Sequence, residues 1–341
     1  MNRIISNVNF LFYIFFVDNH IIIKILIFSF GLSLILKKKV IFMTHLSIKP
    51  LNNISKEILN NKLINGRLLR FVVLGDSHVI YNSNGSLGQN AFLYKKILQE
   101  INCRKESNYF NPNFIIHGGD AVNNGNDEAS FNLFYKLTYA ELIHKEIPVF
   151  VSIGNHDYDI AKPQPDSKNF QKFIGKTRDE INIPGTNVRY IYLNTHYCFE
   201  PLAPEPVIYS YFSPKENEDV NLLKRMNSTN NYLIDFHNPF RIKDCNDSLP
   251  QSDYHYLQWD QENLFRNSII PNAKVNAIFS HHMHTMMKCK FNFKNRTSEV
   301  PFLISGKGGN CNIINSYGSY YEITLDMITN SIECNQITIY I

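Results

Sequence analysis

The sequence predicts an α/β fold whose core is largely parallel. Three observations predict it. Short hydrophobic runs recur at residues 71–74 (with Leu69 just behind), 113–117 and 148–153. Continuous rather than alternating runs are the pattern of strands buried on both faces. Between them lie stretches with helical spacing: Leu93, Ile97 and Ile101, then Phe131, Phe134 and Leu142. Each run also ends in glycine followed by a polar residue, at Gly75-Asp76, Gly118-Gly119-Asp120 and Gly154-Asn155. Strands alternating with helices imply crossover connections, hence parallel pairing.

At 341 residues and 44% hydrophobic, the chain can bury a large core, and one elaborated domain is expected. Charged residues are 19% and the formal net charge is +4, too mild a bias to indicate a nucleic-acid partner.

The first 42 residues differ from the rest. Residues 9–17 are apolar and aromatic, Asp18, Asn19 and His20 interrupt, and residues 21–36 are apolar again apart from Lys24. A spanning helix needs ~20 apolar residues, which neither run supplies cleanly. Residues 8–36 therefore read as a marginal membrane anchor, and if it spans once, Lys37-Lys38-Lys39 would keep the following domain cytoplasmic. The alternative is that translation starts at Met43 and the protein is cytoplasmic. A cleaved signal peptide fits poorly, since no Ala-x-Ala-like site follows. The expected organisation is a leader at 1–42, a polar lead-in at 43–67 and the main folded domain at 68–341.

Helices are expected over 86–103 and over 126–146, the second with acidic residues in its first turn. Residues 158–187 carry Pro163, Pro165, Pro184 and Gly185 and read as a long loop, a candidate lid. A strand is expected at 188–194, and 200–230 resists assignment. Strands at 232–236 and 274–280 lead into His237-Asn238-Pro239 and His281-His282-Met283-His284. A helix is expected at 253–267. Residues 300–304 run into the tight turn Ser305-Gly306-Lys307-Gly308-Gly309, and the tail has two strand-like runs. Cys103, Cys198, Cys245, Cys289, Cys311 and Cys334 contain no Cys-x-x-Cys pair, which excludes a zinc ribbon. Their even number allows disulfides or free thiols alike.

The polar residues after the strands carry the chemistry. In extended chain Asp76 and His78, two apart, point to one side. A carboxylate and an imidazole aimed at one point suit a transition metal with mixed oxygen and nitrogen ligands. Glycine lets the backbone turn sharply beside an ion or anion. Three such units in one chain favour a site over ordinary polar turns.

The ordered series Gly-Asp-Ser-His, Gly-Asp-Ala-Val-Asn-Asn-Gly, Gly-Asn-His-Asp, His-x-Pro and His-x-His resembles the calcineurin-like metallophosphoesterases over residues 68–325. Its purple acid phosphatase-like branch is the most similar. The resemblance implies a four-layer αββα sandwich, two mixed sheets flanked by helices, with ligands on loops at the strand ends. It implies two divalent or trivalent transition-metal ions (Mn, Fe or Zn). One would take Asp76, His78, Asp120 and His284; the other Asp120, Asn155, His237 and His282. Asp120 would bridge, since a carboxylate has two oxygens to share. Two ions ~3.5–4 Å apart hold a phosphate oxygen and activate a hydroxide that attacks phosphorus in line. His156 would stabilise the developing charge or protonate the leaving oxygen. Asp157 either orients His156 or caps a turn. Asn123 stands where purple acid phosphatases carry a metal-bound tyrosine, so no tyrosinate-to-iron colour is expected.

Two registers compete for the last motifs. No histidine follows His284. Assigning His237 to the fourth motif and His282 and His284 to the fifth leaves nothing missing, whereas starting at His281 loses the terminal His-x-His. In the favoured register His281 replaces a glycine, in a turn where the family backbone favours positive φ. It would be tolerated there as strain or serve by donating to a ligand carboxylate.

Other polar residues have plainer readings. His117 reads as a hydrogen-bonded core histidine, His196 and His255 as surface, Trp259 as packing, and Lys307 as a solvated lysine rather than a phosphate contact. The expected function is hydrolysis of a small-molecule phosphate mono- or diester. The alternative is a binding scaffold that retains the fold without catalysis, which loss of several ligands would favour. Here every ligand position holds a competent residue.

Overall fold

The structure is a computed structural model. It describes residues 12–17, 20–25, 48–159, 166–200, 207–212, 218–240, 256–257, 265, 273–293, 299–309 and 317–341. The chain divides into two compact units, Met1–Ile48 and Lys49–Ile341. In the first, β1 (Phe12–Val17) and β2 (His20–Ile25) form an antiparallel pair in which Val17 faces His20 and Phe12 faces Ile25. The apolar runs expected as a marginal anchor thus contain a strand pair. No helix among the described residues is long and apolar enough to cross a membrane.

The second unit is built on two mixed sheets. The first has the order β15-β14-β3-β4-β5. Here β3 is Leu68–Leu74, β4 Phe114–His117, β5 Val149–Val151, β14 Tyr317–Asp326 and β15 Ile332–Tyr340. Strands β3, β4 and β5 are parallel, while β14 and β15 run antiparallel at one side. The second sheet has the order β12-β13-β11-β10-β7-β6. It comprises β6 (Asp179–Asn182), β7 (Val188–Tyr192), β10 (Asn231–Asp235), β11 (Lys274–Ser280), β12 (Met286–Phe291) and β13 (Val300–Ser305). Its four inner strands are parallel and both edges are antiparallel.

The alternation of strand side chains explains the layers. Phe71 and Val73 of β3 point into the inter-sheet core with Phe114, Ile116, Leu233, Phe279 and Leu303. Val72 and Leu74 point the other way, against Leu93, Ile97, Phe131 and Phe134. Those residues belong to α2 (Gln89–Glu106) and α3 (Glu128–Glu141), the crossover helices. Asp127 caps α3 by accepting from the amides of Ala129 and Ser130. The outer face of the second sheet buries Ile234, Phe236, Ile278 and Phe302 with Leu222, Leu223, Tyr256, Leu257 and Phe265. Two apolar faces per sheet are why the strands read as unbroken hydrophobic runs.

Several connections are more ordered than their composition suggests. The expected loop at 158–187 contains the short helix α4 (Lys168–Phe173) and edge strand β6. The 200–230 stretch contains β9 (Val207–Phe212), which pairs with β8 (Thr195–Glu200), and α5 (Glu218–Lys224). The helix expected at 253–267 falls largely outside the described residues, as do His255 and Trp259. Cys103 and Cys334 are free thiols, and Cys289 is disulfide-bonded.

The polar lead-in contains α1 (Leu51–Asn60), which closes the open edge of β5 with side chains. Asn52 Nδ2 donates to the Val151 carbonyl and its Oδ1 accepts the Val151 amide, both at 2.9 Å. Ser55 Oγ bonds both the amide and the carbonyl of Val149. Two polar residues thus imitate a missing strand. Asn52→Ala would leave both Val151 groups buried and unpaired, so a loss of about 2–4 kcal/mol of stability is expected. Urea unfolding measures it, and a loss below about 1 kcal/mol would show that the edge does not depend on this side chain.

Candidate metal centre

The candidate site lies where strands of both sheets end. Segments after β3, β4, β5, β10 and β11 deliver Asp76 and His78, Asp120, Asn155, His237, and His282 and His284. Ligand atoms of Asp76, His78, Asp120 and His284 lie within 4.8 Å of one another, and so do those of Asp120, His237 and His282. Asp120 belongs to both groups. Asn155 joins the second: its Oδ1 is 2.9 Å from His237 Nε2 and 2.8 Å from His282 Nδ1.

The convergence does not come from strand pleating. Asp76, His78, Asp120, His282 and His284 all have left-handed backbone, with φ of 59°, 43°, 50°, 63° and 47°. The same-side argument for Asp76 and His78 in extended chain therefore fails, although both residues reach the cluster. Left-handed backbone costs a residue other than glycine ~1–3 kcal/mol and persists only where the surroundings enforce it. Here they do. The Asp76 amide donates to Gly119 O at 3.0 Å and the His78 amide to Asp120 O at 2.9 Å. The His282 amide donates to Asp76 Oδ2 at 3.0 Å. Gly306, in the turn after β13, packs against this arrangement. A Cβ there would lie 2.7 Å from the His284 nitrogen and 2.9 Å from Asp76 Oδ2.

Glycine at 154 meets a similar need, because a Cβ there would overlap the amide nitrogen and Oδ1 of Asp120. Gly154→Ala is expected to displace Asp120 and weaken metal binding by roughly 10–100-fold. Metal titration of the variant by calorimetry checks it, and wild-type affinity would show that Asp120 has room to shift.

The donor set fits metal ions. Asp76 Oδ1 and Asp120 Oδ2 are buried without a hydrogen-bond partner, an expensive state unless a cation or proton meets them. Asp120 Oδ2 lies 3.2 Å from His237 Nε2 and 3.4 Å from His78 Nε2. His237 Nδ1 donates to Gly118 O at 2.8 Å. That bond fixes the tautomer and turns the Nε2 lone pair toward Asp120 and Asn155, the usual support for a ligating imidazole. Oxygen and nitrogen lone pairs facing one another repel unless a cation or a proton sits among them. The electrostatics agree. Burial opposes charge on His237, but with no ion present Asp120 outweighs it and raises the imidazole to about 10, so a proton on Nε2 stands where a cation would. Burial would lift Asp120 too, yet His237 holds its carboxyl well below the usual range. Burial keeps His78 and His284 neutral, at about 3 and about 4. Around the shared carboxylate of Asp120, His78 and His284 are thus neutral imidazoles, and all three can accept a metal.

His156 and Asp157 separate in role. The His156 amide donates to Asp120 Oδ1 at 2.8 Å, and its ring Nδ1 donates to the Asn123 carbonyl at 2.9 Å. The His156 ring stands edge-on to His78, 4.7 Å between centroids, and is partly exposed. Asp157 does not orient it. Asp157 is buried, and its oxygens accept the amides of Gly154 and Val122. Burial and the nearby Asp120 push its carboxyl up to about 8. Of the two expected roles, the hydrogen bonds match the turn cap: the Asp157 carboxyl holds the 154–157 turn, and a backbone carbonyl orients His156. That carbonyl was invisible as a role because any residue at 123 would supply it.

His281 stands apart from both clusters. It is buried and its φ is not left-handed, so the expected strain at this position falls on His282 and His284 instead. It does not donate to a ligand carboxylate; Nε2 pairs with Asp235 and Nδ1 with the Ser305 carbonyl. His117 is a core histidine, with Nε2 3.0 Å from Ser77 Oγ and its ring against Tyr94 and Phe134. Lys307 sets its ammonium over the Tyr317 ring, 4.8 Å from the centroid. The side chain of His196 lies outside the described residues.

The family model described as calcineurin-like phosphoesterase matches residues 69–286. Among solved structures, the purple acid phosphatase PPD1 from yellow lupin (Lupinus luteus) seeds superposes with a TM-score of 0.52 at 13% identity. The match covers 81% of this chain and 54% of the lupin chain, so the chain spans about half the length of that relative. The protein TT1561 of Thermus thermophilus gives a TM-score of 0.44 at 9% identity, covering 79% of this chain and 98% of that one. No curated protein matches the sequence. At 13% identity the likeness to the lupin enzyme speaks to the fold alone.

Proposed function

We propose, from the premise that this chain belongs to the calcineurin-like phosphoesterase family, that it hydrolyses phosphate esters at a dinuclear metal site. The single observation behind this reading is the sharing of Asp120 by two ligand groups. Asp76, His78, Asp120 and His284 would hold one ion; Asp120, Asn155, His237 and His282 would hold the other. Two bound ions would neutralise phosphate oxygens and lower the pKa of a water between them. The protein's own groups do the rest. The Asp120 carboxylate is held by the His156 amide so that Oδ2 faces both ligand groups. Gly118 fixes the His237 tautomer. His156, tied at Nδ1 to Asn123, keeps Nε2 without a hydrogen bond among the described residues. When protonated, Nε2 can donate to a phosphate oxygen or to the departing alkoxide.

The test is a substrate panel with the purified full chain: p-nitrophenyl phosphate, bis-p-nitrophenyl phosphate and nucleotides, with added Mn²⁺. Hydrolysis of at least one, lost with chelator and restored by Mn²⁺, is expected. The panel also separates monoester from diester preference. Two bound ions with no turnover of any substrate would favour a metal-binding scaffold instead.

A further inference from the structure

We propose that His281 is a positioning residue that sets the separation of the metal-binding loops, an inference that rests on the dinuclear reading above. Its imidazole is fully buried and held at both nitrogens. Nδ1 donates to the Ser305 carbonyl at 2.8 Å, and Nε2 pairs with Asp235 Oδ1 at 2.8 Å. The other Asp235 oxygen accepts from Tyr190 Oη at 3.2 Å, which anchors the carboxylate in the inter-sheet core.

The ring occupies the space that two glycines leave. A Cβ at Gly75 or at Gly118 would overlap it. At Gly118 the three nearest atoms to such a Cβ all belong to the His281 ring. Gly75 precedes Asp76; Gly118 lies two residues before Asp120 and accepts from His237. Asp235 lies two residues before His237. Ser305 precedes Gly306, which packs on His284 and Asp76. The His281 amide itself donates to the His237 carbonyl at 2.8 Å. One side chain thus touches the ends of β3 and β4 in one sheet and of β10 and β13 in the other. Gly75, Gly118 and Asp235 each stand one or two residues before a candidate ligand, and Ser305 adjoins the glycine packed on two more. A wedge gripped at both nitrogens fixes how far apart the loops stand, and metal affinity depends on that spacing.

The experiment measures Mn²⁺ dissociation constants by calorimetry, with stoichiometry, for the wild type and variants, alongside kcat and KM. His281→Gly is expected to bind two ions but roughly 10–100-fold more weakly, with kcat lowered more than KM is raised. Gly118→Ala should weaken binding because its methyl collides with the ring. The double variant Gly118→Ala/His281→Gly should recover affinity relative to Gly118→Ala alone, since the colliding ring is gone. If His281→Gly does not fold, Asp235 answers the question. Asp235→Ala frees Nε2 and should weaken Mn²⁺ binding by roughly 10-fold or more. Asp235→Asn keeps an oxygen facing Nε2 and should stay within a few-fold of wild type. A filler role alone would lower the melting temperature of the metal-free protein and leave the affinities unchanged; that result overturns the proposal. A wild type that binds fewer than two ions overturns the dinuclear reading instead, so the two failures are distinguishable.

Discussion

His237→Ala is expected to bind one metal ion where the wild type binds two, and to lose activity by more than about 100-fold. The side chain lies inside the second ligand group: Nε2 is 3.2 Å from Asp120 Oδ2 and 2.9 Å from Asn155 Oδ1. Removing it deletes a proposed ligand and also leaves the Gly118 carbonyl and Asn155 Oδ1 with one partner fewer. Outer partners of metal ligands already cost roughly 10–100-fold when lost, so a direct ligand should cost more. Elemental analysis of the purified variant gives the ion count and p-nitrophenyl phosphate the activity. The competing register of the histidine motifs makes the opposite forecast: His281→Gly would empty the site and His237→Ala would be mild. Observing that reversed pattern would remove His237 from the site.

His156→Ala should lower kcat by roughly 10²–10⁴ with the metal content intact. The two halves of this forecast rest on different atoms. Its backbone amide holds Asp120 Oδ1 and survives in alanine, so the shared carboxylate stays in place. Its ring, oriented by the Asn123 carbonyl and edge-on to His78, is lost, and with it the proposed proton donor. Substrates with a good leaving group need less protonation at the departing oxygen. The loss should therefore be smaller for p-nitrophenyl phosphate than for an alkyl phosphate. Metal loss in this variant would show that the ring acts as a ligand. An equal loss for both esters would assign the ring to charge stabilisation rather than to proton donation.

Much of the fold was legible because local sequence carried it. Hydrophobic runs at 71–74, 113–117 and 148–153 mark buried strands, and β3, β4 and β5 form within or across them. The helical periods of Leu93, Ile97 and Ile101 and of Phe131 and Phe134 place α2 and α3 within a few residues. The polar residues of the candidate cluster were legible too. Most follow a strand that ends in glycine, and strand ends in a parallel sheet share one side.

What the sequence could not carry are features that depend on partners distant along the chain. Helix α1 has the composition of a lead-in; Asn52 and Ser55 acquire meaning only against the edge of β5, 99 and 94 residues on. Asp76, His78, Asp120, His282 and His284 are left-handed where hydrogen bonds and close packing between loops hold them, and no single-residue preference announces this. Asp157 follows a catalytic candidate directly, yet its carboxylate turns to the amides of Gly154 and Val122. His281 and His282 are adjacent and chemically identical; one faces Asp235 and the other Asn155. Sequence determined which residues could bind metal, because residue type and strand-end position are local properties. Tertiary structure decided which of them face one another, because a ring's direction is set by the space Gly75 and Gly118 leave and by the acceptors waiting there.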